Sequence, residues 1–239
     1  MHRFADEPMT QLLLIRHATN DWVGKRLAGW TPGVHLNAHG RAEAATLAAR
    51  LRDHPIDAIH ASPLERTLET AAFLALPRGL TVLPLPDVGE VRFGAWTGQA
   101  IEDLRKDPLW AGVQHYPSVT RFPDGETLGE VQARAVAALG AVVDAAGEAV
   151  GDREAVVAVV SHADVIKVVL AHYAGVHLDL FQRLDVAPAS VSVVHLTVDG
   201  PRIAGINLGG PVPPPSRAPT TAAAGAGTPA GPAGPGGSR

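Results

Sequence analysis

The chain contains no cysteine. Disulfides and thiol chemistry are therefore excluded. Basic residues are few: 20 Lys and Arg stand against 24 Asp and Glu, a formal net charge of −4. No basic stripe marks any segment, so nucleic acid is not expected as a partner. No apolar run approaches the ~18 residues of a membrane span, and no membrane contact is expected. The opening "MHRFADEPMT" lacks the long apolar stretch of a signal peptide. These absences fit a cytoplasmic protein. Cofactor signatures are missing too. No GxGxxG follows the first apolar run, and no P-loop occurs. HExxH, paired Cys and a tight Asp–His cluster are all absent, so neither a metal nor a cofactor is expected.

What remains is a chain of 239 residues, 46% hydrophobic and 18% charged, enough for one globular domain with a sizeable core. Three parts are expected. Residues 1–10 form an N-terminal extension and residues 11–208 the domain. Residues 209–239, almost all Pro, Gly, Ala, Ser or Thr, form a tail too poor in apolar surface to order itself.

Within the domain, apolar runs alternate with helical patterns. Strands are expected at Gln11–Ile15, Asp57–Ala61, Leu80–Leu85, Glu154–Ser161, Ser190–Val198 and Arg202–Ile206. Helices are expected at Asn37–Arg52, from Ser62 to about Leu76, at Thr127–Ala149 and at Asp164–Ala174. Asn37 is the expected cap of the first. Ser62-Pro63-Leu64-Glu65 reads as a capping box, with Ser62 as cap and Glu65 three residues on. Residues 92–125 read as irregular. This order implies an α/β sandwich with a largely parallel sheet.

Ligands of such sheets bind beyond the C-terminal strand ends. There the sequence places Arg16-His17, then Ser62 with Arg66 one turn on, then Asp87 and Glu90, then Ser161-His162. Arginine forks suit phosphate oxygens. A neutral imidazole is a competent nucleophile toward phosphorus, and a carboxylic acid can protonate a leaving alkoxide. Phosphomonoester hydrolysis can demand roughly 10²¹-fold acceleration, about 28 kcal/mol, which calls for several such groups acting together. Two arginines beside the histidines would also repel a metal cation. Arg66 has a plainer use as a partner of Glu69. Asp87 and Glu102 compete with Glu90. Trp96, Trp110 and Tyr116 serve as pocket walls or as loop packing, and Arg92, Arg105, Lys106 and Arg121 as substrate readers or solvated charges. His2, His54, His60, His115, His172, His177 and His195 have no motif around them, while His35 and His39 lie in the loop and helix start after the first of these strand ends.

The segments "LIRHA", "SPLERTLETA", "GEVRFGAWTG" and "VSHADVIK", in that order across residues 11–206, resemble the histidine phosphatase superfamily, also called phosphoglycerate mutase-like. "GWTPGVHLNAHGRAEA", "FPDGET" and "HLDLFQR" further resemble a bacterial subfamily of phosphomutases and phosphatases. The resemblance implies a three-layer α/β/α sandwich around a mostly parallel sheet. It implies His17 as phosphohistidine nucleophile, Arg16, Arg66 and His162 as phosphate pocket, and Glu90 as proton donor. The pattern departs at three positions. Ala18 replaces the usual glycine, Thr19 takes a Glu position, and Val23 stands where an Asn commonly holds phosphate. Asn20 is the expected substitute for that contact. The expected activity is metal-independent hydrolysis of a small phosphomonoester. Phosphomutase activity is the runner-up, disfavoured because residues 92–125 look short for a mutase insertion. An inactive phospholigand-binding protein is the third reading. Substrate selection is expected from loops in 18–35 and 92–130.

Overall fold

The computed structural model describes residues 10–151 and 153–215. The expected N-terminal extension, Thr10 apart, and the tail beyond Pro215 lie outside the described residues. The sheet is six-stranded, in the order β3-β2-β4-β1-β5-β6. The strands are β1 (Thr10–Arg16), β2 (Ala58–Ala61), β3 (Val82–Pro84), β4 (Ala155–Ser161), β5 (Val191–Thr197) and β6 (Gly200–Leu208). β3, β2, β4 and β1 run parallel, while β5 and β6 add an antiparallel edge. This is the expected mostly parallel sheet.

Central strands buried on both faces should read as unbroken apolar runs. β1 and β4 do, and their side chains divide between two cores by simple alternation. Leu12, Leu14, Val157 and Val159 face one core. Leu13, Ile15, Val156, Ala158 and Val160 face the other. Helices α5 (Leu128–Val150) and α6 (Ala163–Ala174) cover the first side. Helices α1 (Ala38–Arg50) and α2 (Glu65–Ala75) cover the second, completing three layers.

The termini of these helices follow local chemistry. Asn37 caps α1 by accepting from Gly40 N–H at 2.8 Å. Thr127 and Glu130 form a capping box on α5. α6 ends at Gly175 with φ 64°, a left-handed stop that suits glycine. The stretch 92–125, expected to be irregular, contains two short helices, α3 (Ile101–Leu104) and α4 (Leu109–His115). β3 is shorter than expected and exposed at its end. The first residues of the Pro-rich segment are fastened to the domain: Gln11 donates to the Pro213 carbonyl at 3.2 Å, and Val212 packs on the α1–α2 core.

Candidate active site

The register of the two central strands sets the site. Arg16 of β1 lies opposite Ser161 of β4, and His17 N–H donates to the Ser161 carbonyl at 2.9 Å. The next residues, His17 and His162, therefore leave the same sheet edge together, with ring centroids 5.3 Å apart. His17 Nδ1 lies 2.8 Å from the Ala18 carbonyl. A carbonyl only accepts, so Nδ1 carries the proton and Nε2 the lone pair. Burial, reinforced by the Arg66 charge, pushes His17 down to about 3. Its ring is thus neutral near pH 7.

The loop after His17 is pinned from three sides. Ala18 N–H donates to Thr70 Oγ1 at 3.0 Å, Thr19 N–H to Glu43 Oε2 at 2.8 Å, and Asn37 N–H to the Thr19 carbonyl at 3.2 Å. The Ala18 methyl packs in the α1–α2 core, so the departure from glycine is accommodated.

Arg66, in the first turn of α2, is 1% exposed. One of its terminal nitrogens, Nη2, donates to the Gly29 carbonyl at 2.8 Å and lies 3.3 Å from His162 Nδ1. Its Nε and Nη1 are buried without a protein acceptor among the described residues, as is Arg16 Nε. Arg16 Nη1 goes to the Val186 carbonyl at 2.7 Å. Buried guanidinium donors without acceptors are costly unless something anionic meets them. Glu69, the alternative partner for Arg66, is engaged instead by Leu36 N–H at 2.9 Å and by His35.

The expected capping role of Ser62 does not hold. α2 begins at Glu65 with Leu64 at the cap position and no side-chain cap. Ser62 Oγ lies 2.8 Å from His162 Nε2, and Glu65 accepts from Gly33 N–H at 2.8 Å. The buried His162 ring, which needs a partner for Nε2, takes the serine away from the helix end. Burial, then the charges of Arg66 and His17, hold His162 well below its ordinary value.

Glu90 follows a short 3-10 turn, Pro86–Val88, beyond β3. Its Oε1 accepts from Val91 N–H at 3.0 Å, and Oε2 lies 3.7 Å from His162 Nδ1. Burial, with the Asp164 charge second, raises Glu90 to about 7, while Arg66 pulls the other way. Arg134 of α5 clamps the backbone beneath it, donating to the carbonyls of Asp87, Gly89 and Glu90 at 2.6, 2.9 and 3.1 Å. Trp30 donates to the Glu90 carbonyl at 2.6 Å and lies against Gly89, where an added Cβ would come within 2.3 Å of the indole.

Arg16, His17, Asn20, Arg66 and Glu90 line one cavity of about 180 Å³, with His162 directly behind Arg66. Asn20 Oδ1 accepts from Trp22 N–H at 2.9 Å, which leaves its amide donors as the groups able to meet an anion. Val23 is part of the wall. The outer wall comes from residues 22–24 and 26–28 with Phe93 and Ile101, in the loops expected to contact substrate. Asp87 and Glu102 are exposed and outside it, as are Arg92, Arg105, Lys106 and Arg121. Trp96 is buried against Phe122 and Trp110, and Tyr116 is exposed, so none of these three aromatics lines the cavity. Asp164, Arg26, Trp22 and Phe93 line it although the sequence reading named none of them as a site residue. Adjacency to His162 was the one signal for Asp164. Among the described residues no three His, Cys, Asp or Glu side chains gather as metal ligands. The described helices include none long and apolar enough to cross a membrane.

A mostly parallel sheet sandwiched by helices, with paired histidines and arginines at its C-terminal edge, defines the phosphoglycerate mutase-like class. Comparison with known proteins makes the assignment specific: the chain belongs to the histidine phosphatase superfamily (branch 1), whose profile matches residues 12–209. It is 31% identical over 197 residues to phosphoserine phosphatase 1 of Hydrogenobacter thermophilus, covering 79% of this chain and 87% of that protein. A probable phosphoglycerate mutase GpmB of Yersinia enterocolitica is 32% identical over 133 residues, 55% of this chain and 62% of that one. Among solved structures, Bacillus stearothermophilus YhfR superposes with a TM-score of 0.74 at 26% identity, covering 85% of this chain and 98% of YhfR.

Proposed function

We propose that the protein is a metal-independent phosphatase that hydrolyses a small phosphomonoester through a phosphohistidine at His17. The observation that carries this reading is the fixed tautomer of His17. Its Nδ1 proton is held by the Ala18 carbonyl, so the Nε2 lone pair is free beside guanidinium donors that lack acceptors.

In the first step the Nε2 lone pair of His17 attacks phosphorus in line. The N–P bond forms as the ester P–O bond breaks, and protonated Glu90 gives its proton to the leaving oxygen. Arg16, Arg66, His162 and the Asn20 amide hold the equatorial oxygens as charge spreads over them. In the second step water attacks phosphorus, Glu90 takes the water proton, and the N–P bond breaks. A carboxyl poised near 7 suits both directions of transfer. Segment 92–125 forms only short helices and the cavity is open to solvent, which favours water over a retained substrate as phosphoryl acceptor. The similarity to a phosphoserine phosphatase and to a probable phosphoglycerate mutase supports a small phosphorylated metabolite as substrate. We read the protein as a cytoplasmic enzyme.

The test is a phosphomonoester panel in EDTA, with wild type and His17→Ala. Turnover by wild type, its loss in the variant, and a phosphate mass increment on His17 during turnover are expected. Equal hydrolysis by the two proteins would end the proposal. Faster transfer to a second substrate alcohol than to water would favour the mutase. Phosphate binding without turnover would favour a phospholigand-binding protein.

A further inference from the structure

Asp164 sits in the first turn of α6, two residues after His162, and lines the cavity with Arg16, His17 and Glu90. Among the described residues its carboxylate has no hydrogen-bond partner; burial raises it, the charges of Lys167 and Arg16 pull the other way, and it interacts with the Glu90 carboxyl. Lys167 is committed elsewhere, donating to Gln182 at 2.9 Å. The other carboxylates around the site each hold a backbone N–H: Glu90 that of Val91, and Glu43 that of Thr19. Asp164 also caps no backbone N–H of its own helix. A half-buried carboxylate without a donor is costly, and a negative group beside a phosphate pocket opposes the binding of phosphate.

The lining shows what would resolve both conflicts. Arg16, Arg26 and Arg66 each donate to a backbone carbonyl, those of Val186, Gly98 and Gly29, and Glu90 accepts from Val91 N–H, which leaves Asp164 as the one charged group of the lining without a hydrogen bond among the described residues. A cation carried by the leaving group would supply that bond and offset the charge beside the phosphate. The wall beyond includes Leu27, Phe93 and Ile101 beside Arg26, and its apolar part suits a short alkyl link between phosphate and that cation. We propose that Asp164 is the specificity-determining acceptor for a protonated amine on the leaving group, so that the site selects ammonium-bearing alkyl phosphates. This rests on the reading that the cavity holds the phosphate of an ester. Under it, a leaving group bearing only a carboxylate gains nothing from Asp164.

Binding separates this inference from the question of turnover. The His17→Ala protein, and the same protein carrying Asp164→Asn, are titrated calorimetrically with O-phosphoethanolamine and with ethyl phosphate, which differ in the ammonium group. In His17→Ala alone, phosphoethanolamine is expected to bind about tenfold tighter or more, the yield of a hydrogen bond between charged groups. In the double variant the ratio is expected to fall close to one. Equal affinities in His17→Ala, binding of neither ester, or a preference that survives Asp164→Asn overturns the proposal. The result in His17→Ala decides by itself should the double variant fail to fold. Failure of the phosphatase reading shows separately, as a wild type that hydrolyses no ester.

Discussion

Ser62 Oγ lies 2.8 Å from His162 Nε2, joining the end of β2 to the end of β4 across the floor of the site. His162 is fully buried, and its other ring nitrogen faces Arg66 and Glu90 at 3.3 and 3.7 Å. The hydroxyl can donate or accept, so it can follow whichever nitrogen carries the ring proton when phosphate arrives. Ser62→Ala leaves a buried nitrogen unpaired, at a cost of about 1–3 kcal/mol in stability. Because the ring is no longer oriented, kcat/KM is expected to fall by about tenfold, in the range for loss of an orienting partner. Denaturant titration and steady-state kinetics of the variant check both. Unchanged kinetics would show that His162 is positioned without the serine.

Arg134 predicts a different pattern. Its guanidinium meets three carbonyls of the 87–90 turn and both oxygens of Glu126. Arg134→Ala leaves Glu126 without this partner and frees the turn that presents Glu90. A stability loss of about 3–5 kcal/mol is expected for a largely buried pair broken on one side. The kinetic loss should fall on kcat more than on KM, because in the proposed mechanism Glu90 acts on the leaving group. Arg134→Lys should not restore kcat, since a single ammonium cannot reproduce the fork.

Gly40 tests how the loop after His17 is held. A Cβ there would stand 1.9 Å from the Thr19 carbonyl oxygen, a backbone atom that cannot swing aside. Gly40→Ala must push the start of α1 away from the loop and loosen the Asn37–Thr19 contact. A loss of roughly 1–3 kcal/mol is expected, as for overpacking elsewhere. Thermal unfolding measures it. Gly129 is the control: it lies in the first turn of α5 and has only Thr127 Oγ1, at 3.8 Å, near its missing Cβ, so Gly129→Ala should leave stability nearly unchanged.

Most of this architecture was legible in the sequence because it follows from burial. Unbroken apolar runs identified β1 and β4, and a strand buried on both faces delivers the residues after it to the edge of the sheet. Arg16, His17, Ser161 and His162 are therefore expected together from the sequence alone. The errors arose where a long-range partner outbid a local one. Ser62-Pro63-Leu64-Glu65 satisfies the local pattern of a capped helix, yet His162, distant in sequence, takes the hydroxyl, and Gly33 takes the carboxylate. Arg134 and Trp30 were invisible for another reason. They act by donating to backbone carbonyls, which every residue has, so no residue pattern marks the acceptor. Asp164 went unnoticed as a member of the site because an acid at the start of a helix already has an ordinary explanation.

Glu90 carries opposite predictions for rate and for stability. In its proposed role as proton donor it must be protonated in the free enzyme, and it is raised to about 7. The pH profile of kcat/KM should therefore fall as pH rises through about 7, and Glu90→Gln should show a lower rate without that descending limb. His17, neutral down to about 3, contributes no limb between pH 5 and 9. For stability the sign is fixed by the same shift. A carboxyl that holds its proton more tightly when folded favours the fold below its unfolded value, near 4.5, and that contribution is lost as pH rises toward 7. Above 7 the folded protein holds a buried, ionised Glu90, which Glu90→Gln removes. The variant should thus be the weaker catalyst and the more stable protein at pH 8, with the stability gap shrinking toward pH 5. Melting temperatures of both proteins at the two pH values measure the gap. A gap that widened toward pH 5 would mean that Glu90 is ionised in the resting site and cannot be the acid of the first step.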